Sequence, residues 1–330
     1  MNVKGPLVTV LLPVYNRPTV TKTITSILQQ TYTNFELLII DNASTDSTVE
    51  EIRKINDSRI KLVVNEVNKG QTYSLNKGLQ LAKGKYIARI DSDDIALPER
   101  LEKQVAFLEN NPEYGLCGCW VRYMNDDDQL TITVKTPTTD KGLRLLQNVT
   151  CGMYHPASMF RTETIRKYNI TYEADIKMAE DYALWGKIMQ FSKALNLPEI
   201  LLYYRRGGSN DSEKYREVMA KESFIVREEI CRKQLQNNDL LKKMLTIIDT
   251  EKKEKKSIID VIHVLNFYKS YLNQNFKKED MDYKIIKKTL LLKVYSSSIA
   301  VNKSLYAVFL RAIYKKLLKS KYSHGKNINE

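Results

Sequence analysis

Three acids within four positions, Asp91, Asp93 and Asp94, close the apolar run from Tyr86 to Ile90. Two carboxylates two residues apart at a strand end can share a divalent cation, or divide their work between a cation and a sugar hydroxyl. Oxygen ligands of this kind select hard ions, Mn²⁺ or Mg²⁺, which keep waters and bind substrate phosphates. Taken alone, such a cluster is more often a solvated acidic turn opening the next helix. A further acid, Asp41, ends the run from Phe35 to Ile40. A carboxylate there can accept hydrogen bonds from a ribose or from the imide N–H of uracil. It can equally form an N-cap or Asx turn, for which Ser44, Thr45 and Asp46 are alternatives. No Gly-x-Gly-x-x-Gly follows the first strand and no Gly-x-x-x-x-Gly-Lys-Ser/Thr occurs, which disfavours dinucleotide-binding and P-loop domains. What remains is a nucleotide held by carboxylates and a metal.

Such groups need a scaffold that converges on them. Val8 to Leu12 reads as a strand ended by Pro13, Thr19 to Gln30 as a helix, and Phe35 to Ile40 as a strand. Ser47 to Ile55 (helix), Ile60 to Val64 (strand), Tyr73 to Ala82 (helix) and Tyr86 to Ile90 (strand) continue the alternation. That alternation implies an α/β fold with βαβ units and a mostly parallel sheet flanked by helices. Ligands of such sheets bind beyond the carboxyl ends of the strands. The segments standing there are polar: Pro13 to Asn16, Asp41 to Asp46, Asn65 to Gly70 and Asp91 to Asp94. Beyond them come a helix from Leu97 to Glu109 with Pro98 in its first turn, a strand from Gly115 to Tyr123, and a turn from Asn125 to Asp128. Residues 129–180 carry no clear pattern, Asp181 to Phe191 looks helical, and Ile200 to Tyr204 extended.

Of the 330 residues 43% are hydrophobic and 28% charged, the profile of an ordinary globular protein. Four scattered cysteines do not make a disulfide framework, so a reducing, cytoplasmic setting is expected, with Cys117 and Cys119 in or near the core. No signal peptide is expected, and no run approaches the roughly 20 apolar residues that span a bilayer. The net charge of +13 is unevenly spread. Residues 213–330 hold 26 basic and 14 acidic side chains, leaving residues 1–212 almost neutral. Past Gly207 and Gly208 the texture turns to proline-free helices rich in Lys, Glu, Leu and Ile, so a boundary is expected near residue 212.

Four segments in order, Val10–Asn16 (Val-Leu-Leu-Pro-Val-Tyr-Asn), Leu38–Asp46 (Leu-Ile-Ile-Asp-Asn-Ala-Ser-Thr-Asp), Asn68–Gly78 and Tyr86–Asp94 (Tyr-Ile-Ala-Arg-Ile-Asp-Ser-Asp-Asp), resemble family 2 glycosyltransferases of the GT-A fold. The match extends to Leu101, thins after residue 125, and resumes at Ala179–Tyr182 and Leu202–Arg205. The resemblance implies a nucleotide-sugar donor, with UDP favoured by the family pattern at Asp41, an Mn²⁺ or Mg²⁺ ion, and transfer of a hexosyl or N-acetylhexosaminyl group with inversion. It assigns Pro13, Tyr15 and Asn16 to the nucleoside pocket, Asp41 to the base, and Asn68, Gly70, Asn76 and Ser92 to the donor side. Asp91 would face the ribose, Asp93 would hold the metal, and Asp94 is a candidate hydrogen-bond partner of the donor sugar. Glu180 and Asp181 resemble the family's acidic pair near the acceptor, whose aspartate is the catalytic base. A sugar hydroxyl is a weak nucleophile, so a positioned carboxylate must take its proton.

His155, in His-Pro-Ala-Ser-Met-Phe-Arg, stands where relatives place an acceptor-side segment; it is either a sugar contact or a structural histidine. Trp185, one helical turn past Asp181, is either an acceptor-stacking ring or core. Many relatives carry a metal-binding histidine just after the counterpart of Tyr204-Arg205. Here Arg206-Gly207-Gly208-Ser209 follows, so either the metal rests on Asp93, water and diphosphate, or Arg205 or Arg206 neutralises the phosphates. Between Lys284 and Asn329 stand eleven basic residues and no acid, threaded through apolar positions. The segment 284–326 suits either an anionic membrane surface or packing on protein, including a second subunit in an oligomer; no nucleic-acid module accompanies it. The sequence thus implies a GT-A catalytic domain over residues 1–212 and a basic α-helical C-terminal extension over 213–330. Its expected work is building a surface polysaccharide, capsule or lipopolysaccharide, from the cytoplasm or peripherally on the inner face of the cell membrane. A nucleotidyltransferase and a non-catalytic nucleotide-sugar-binding module are the alternatives.

Overall fold

A computed structural model of the chain describes residues 5–207, 215–234, 268–270 and 272–299. The chain divides into two compact units, Met1–Val226 and Arg227–Glu330. The first is built on a nine-stranded sheet. Its opening elements are β1 (Val8–Val14), α1 (Val20–Leu28), β2 (Phe35–Asp41), α2 (Thr48–Arg53), β3 (Ile60–Val64), α3 (Gln71–Leu81) and β4 (Tyr86–Arg89). Then come β5 (Ile95–Ala96), α4 (Arg100–Asn110), β6 (Tyr114–Met124), β7 (Leu130–Val134), α5 (Asp140–Gln147), β8 (Met159–Arg161), α6 (Thr162–Lys167), α7 (Glu180–Ile188) and β9 (Lys193–Arg205). The strand order is β3-β2-β1-β4-β8-β6-β9-β5, with β7 on β6.

The first four strands in that order run parallel, with Val14 opposite Asp41 and Asp41 opposite Val64. Their carboxyl ends therefore fall on one edge, as do the residues leaving β4, which pairs parallel with β1. Both faces of β1, β2 and β4 are buried, so these strands read as nearly unbroken apolar runs, while β3 at the edge is partly exposed. Val10, Leu12, Leu37 and Ile39 pack with Ile24 of α1 and Val105 of α4. The alternate residues Leu11, Leu38, Ile40 and Ile87 pack with Leu75 of α3 and Trp185 of α7. Gly78 lets α3 approach the sheet, since a Cβ there would lie 2.2 Å from a Leu11 methyl.

The stretch 129–180, patternless in the sequence, holds β7, α5, β8 and α6, all short. Helices and strands of three to eight residues offer few periods to read. β9 runs far longer than Ile200–Tyr204, pairing with β6 from Lys193 to Arg205 through a register shift at Pro198. A proline inside a strand pattern hides the strand, and bulges are where sheets admit it. After the sheet come α8 (Arg216–Gln234) and α9 (Met281–Ile299). No helix among the described residues is long and apolar enough to cross a membrane. The basic segment expected over 284–326 lies outside the described residues beyond Ile299.

Candidate active site

The loop after β2 is built around Asp41. Its carboxylate accepts the Ser44 N–H at 2.9 Å and the Ser44 hydroxyl at 2.5 Å. Each oxygen keeps a lone pair after these bonds, while Asp41, like Asp94, has no exposed surface. Asn16, at φ 45°, ties this loop to β1: its N–H donates to Ser44 Oγ and its side-chain oxygen accepts from Thr45 N–H. Pro13 is buried inside β1 and presents no surface, whereas Tyr15 is 45% exposed at the mouth of the loop. Asn68 accepts from Asn42 Nδ2 and from Gly70 N–H, which shapes the turn into α3. Gly70 sits at φ 86°, a value that favours glycine.

The acids after β4 divide into two that face outward and one that does not. Asp91 and Ser92 are half-buried, and Asp91 pairs with Arg89. Burial, with the charge of Asp91 behind it, pushes the Asp93 carboxyl up to about 6. The Arg17 guanidinium stands 3.5 Å from Asp93. Asp94, by contrast, is fully buried; one oxygen accepts the Arg205 N–H at 2.7 Å and the other finds no hydrogen-bond partner. Burial, then the charges of Asp91 and Asp93, holds Asp94 well above the ordinary carboxylate range.

The acidic pair opens α7. Burial first and the Asp181 charge second push Glu180 up to about 8, while burial raises Asp181 to about 6 against the opposing Tyr182 N–H and Arg89. Asp181 accepts the Tyr182 N–H at 2.6 Å, and the Cys151 thiol lies 3.8 Å from its other oxygen. Glu180 is therefore the member that keeps its proton to higher pH. His155 lies beneath it, with Nδ1 3.9 Å from a Glu180 oxygen and Nε2 2.8 Å from the Tyr172 hydroxyl. Burial and the nearby Arg89 push its imidazole well below the ordinary value, so it is neutral. Buried and bonded in this way, His155 sits against Glu180 and Tyr172.

Four of the candidate residues make contacts within the chain itself. Trp185 is 0% exposed and edge-on to both His155 and Phe160, so its ring packs in the core. Asp94 is fully buried and accepts the Arg205 backbone N–H. Arg205 directs its guanidinium to the Asp93 and Asn125 carbonyls and to the Asp128 carboxylate, clamping the acidic turn to the β6–β7 loop. Asn76 is a clip between segments: its Nδ2 donates to the Tyr172 carbonyl and its oxygen accepts the Tyr172 N–H, both at 2.9 Å. Replacing Asn76 by Ala should cost about 1–3 kcal/mol in urea unfolding, the penalty for stranding such groups, with UDP binding intact. Loss of the UDP response at unchanged stability would return Asn76 to the donor site.

Several residues of the site escaped the sequence reading. Arg89 is a fully buried cation in an apolar strand, a signal visible in Tyr-Ile-Ala-Arg-Ile-Asp. Arg100, also buried, donates to the carbonyls of Arg89 and Ser158, fixing the end of β4. Glu222 of α8 accepts from three successive N–H groups, those of Lys177, Met178 and Ala179, and so seats the start of α7. Nothing local to Glu222 announces this. Tyr123, Tyr154 and Tyr204 form an aromatic cluster joined by a 2.6 Å bond between the first two hydroxyls. Tyr204 belongs to the same neighbourhood as the acids: its hydroxyl is held far above its ordinary value by burial and by Asp91, Asp94 and Asp93.

Among the described residues no cluster of three His, Cys, Asp or Glu side chains forms a metal cage. The donor set nevertheless fits a hard cation that brings its own oxygens. Asp93 is a carboxylate whose charge burial and Asp91 leave undercompensated, and Mg²⁺-type sites commonly use one or two carboxylates plus phosphates and water.

Residues 9–168 match the family model described as Glycosyl transferase family 2. The chain is 36% identical over 222 residues to an uncharacterized glycosyltransferase of Haemophilus influenzae, covering 64% of this chain and 68% of that one. It is 33% identical to the Escherichia coli UDP-Glc:alpha-D-GlcNAc-diphosphoundecaprenol beta-1,3-glucosyltransferase WfaP, covering 66% and 85% of the two chains. Among solved structures it is similar to Staphylococcus aureus TarS 1-349 in complex with UDP-GlcNAc, at TM-score 0.58 and 18% identity over 92% of this chain and 87% of that one. It is also similar to the mannosyltransferase PcManGT of Pyrobaculum calidifontis in complex with GDP-Man and Mn²⁺, at TM-score 0.55 and 18% identity over 97% and 82%. These two likenesses establish a shared GT-A-type fold.

Proposed function

The chain belongs to glycosyl transferase family 2 and is a glycosyltransferase; from that premise we propose that it is a metal-dependent, inverting enzyme using a UDP-sugar. The acceptor is a hydroxyl of a glycan or lipid-linked glycan, and the product a surface polysaccharide. One observation carries the reading: Asp91, after β4, is paired with the buried Arg89, whose charge also lowers the acidic pair opening α7. The donor and acceptor classes draw on WfaP, a UDP-glucose enzyme acting on a diphosphoundecaprenol-linked sugar by its name, and on TarS bound to UDP-GlcNAc.

In this reading Asp41 accepts from the uracil imide through its remaining lone pairs, and Tyr15 covers the base. Asn16, Asn68 and Gly70 hold the loops that frame the nucleoside. Asp91 takes the ribose hydroxyls and Asp93 the divalent ion. Bound there, Mn²⁺ or Mg²⁺ would offset the charge that builds on the departing diphosphate. Arg17, beside Asp93 and half-exposed, adds a positive charge to the same end. At the other end, Asp181 receives the proton of the attacking hydroxyl as that oxygen closes on the anomeric carbon. Single displacement puts the base and the leaving group on opposite faces of the ring, hence inversion. A nucleotidyltransferase would turn its acids toward metal; Glu180 and Asp181 instead lie against Arg89, His155 and Cys151.

A panel of nucleotide sugars, read by thermal shift and by UDP release with Mn²⁺, tests this. A UDP-sugar should stabilise the protein and release UDP, and excess EDTA should abolish turnover. Full activity in EDTA overturns the metal, and a response to GDP- or dTDP-sugars alone overturns the donor. Where the enzyme works is a separate matter: the eleven basic residues and no acid of 284–329 favour docking on an anionic membrane. Full-length protein should float with anionic but not neutral liposomes. Equal partitioning of a 1–283 truncation would remove this role.

A further inference from the structure

The turn that carries Glu180 and Asp181 into α7 has no side-chain cap of its own. Ala179 holds the N-cap position with a methyl group that accepts nothing, and Asp181 uses one oxygen on the Tyr182 N–H. Successive N–H groups in such a turn form a concavity that fits an anion. Glu222 fills it: a single oxygen, Oε2, accepts from Lys177, Met178 and Ala179 at 3.0, 2.6 and 3.2 Å. Glu222 is buried on α8, so little water competes for these bonds. Hydrogen bonds from N–H groups to a carboxylate are roughly twice as strong as neutral ones. On its other side the same loop is tied to α3. There Asn76 brackets Tyr172, and the Thr72 hydroxyl donates to the Ile176 carbonyl at 3.4 Å. Residues 172–179 are thus slung between two helices, and Glu222 holds the end next to the acids.

We propose that Glu222 is a positioning residue for the transfer: its carboxylate fixes the turn from which Asp181 projects, and so sets where the base meets the acceptor hydroxyl. The inference deepens the proposed function, resting on Asp181 as the base. Glu222 touches no reacting atom and acts only through the three main-chain bonds. Such placement matters steeply, since a shift of about 1 Å can cost about 10²-fold in rate. The donor side is built without Glu222: Asp41 bonds Ser44, Asn68 bonds Asn42 and Gly70, and Asp91 pairs with Arg89. Loosening Glu222 should therefore reach turnover and leave UDP binding alone.

Three variants of the full-length protein test this. E222L fills the space with no acceptor, E222D keeps a carboxylate but withdraws it by one methylene, and E222Q keeps an acceptor oxygen at full length. Amide hydrogen exchange at 177–179 should quicken by about tenfold or more in E222L and E222D, the effect of losing bonds to a charged group. UDP release from UDP-Glc or UDP-GlcNAc with Mn²⁺, per folded molecule, should fall about 10–100-fold in both. E222Q should recover much of each loss, and the calorimetric Kd for UDP should stay at the wild-type value in all three. A folded E222L or E222D with wild-type turnover overturns the proposal, because a carboxylate serving stability alone would lower only the unfolding midpoint. A loss of UDP affinity that matches the loss of turnover overturns it too, as does an E222Q no better than E222L. Should E222L fail to fold, E222D and E222Q decide by the same readings. Absence of UDP release from the wild type with either donor would count against the proposed function. Exchange would still judge Glu222: unchanged rates at 177–179 in E222L or E222D overturn its role.

Discussion

Asp181→Asn should bind UDP as the wild type does and turn over roughly 10²–10⁴-fold more slowly, the usual contribution of a general base. Asparagine keeps the shape and one acceptor oxygen for the Tyr182 N–H, so α7 retains its start. What it loses is the ability to take a proton, which matters only as the hydroxyl attacks. The loss therefore belongs in kcat, with the UDP dissociation constant unchanged by calorimetry. The wild-type pH profile supplies the companion result. Only the ionised carboxylate can serve, and burial raises Asp181 to about 6, so turnover should fall as pH drops through about 6. An unperturbed aspartate would hold activity down to about 4. A D181N variant as active as the wild type would leave the transfer without its base, and weakened UDP binding would move Asp181 to the donor site.

Trp185→Ala should destabilise the protein by about 3–5 kcal/mol in urea or thermal unfolding, the cost of emptying a large aromatic site in a packed core. The ring is fully buried, edge-on to Phe160 and His155 and packed among Ile87, Leu184 and Ile188. The cavity would open directly beneath the histidine that supports Glu180. Trp185→Phe, which refills part of the space, should recover a share of the stability. If the alanine variant is as stable as the wild type and only the acceptor KM rises, Trp185 is a sugar-stacking platform after all.

The parallel half of the sheet was legible because strands buried on both faces spell themselves out as apolar runs. The acids at their ends were legible because polar residues after such runs stand where ligands bind. Trp185 shows where that logic stops. A helix begun by an acidic pair must bury one face, and the i+4 position that could reach a ligand also reaches the core. Arg205 and Asp94 show a second limit. Their residue types suit phosphate and sugar, but each found a partner in the chain itself, and sequence spacing carries no record of that choice. Arg89 was missed for the opposite reason, as a charge that looked incidental within a strand. Glu222 lies forty-two residues past Glu180, a separation read directly from the chain, and only tertiary structure joins them.

The three N–H groups gathered by Glu222 bear on how this enzyme can be cut and recombined. All the strand-end acids lie within residues 1–212, which makes that segment look like a transplantable cassette. Yet the loop that delivers Glu180 and Asp181 is anchored by a helix that begins at Arg216. A chimera joined at the edge of the sheet would inherit every candidate donor-side residue and the proposed base, the latter moored by a foreign helix. Junctions for exchanging acceptor specificity among relatives therefore belong beyond Val226, where the first compact unit ends.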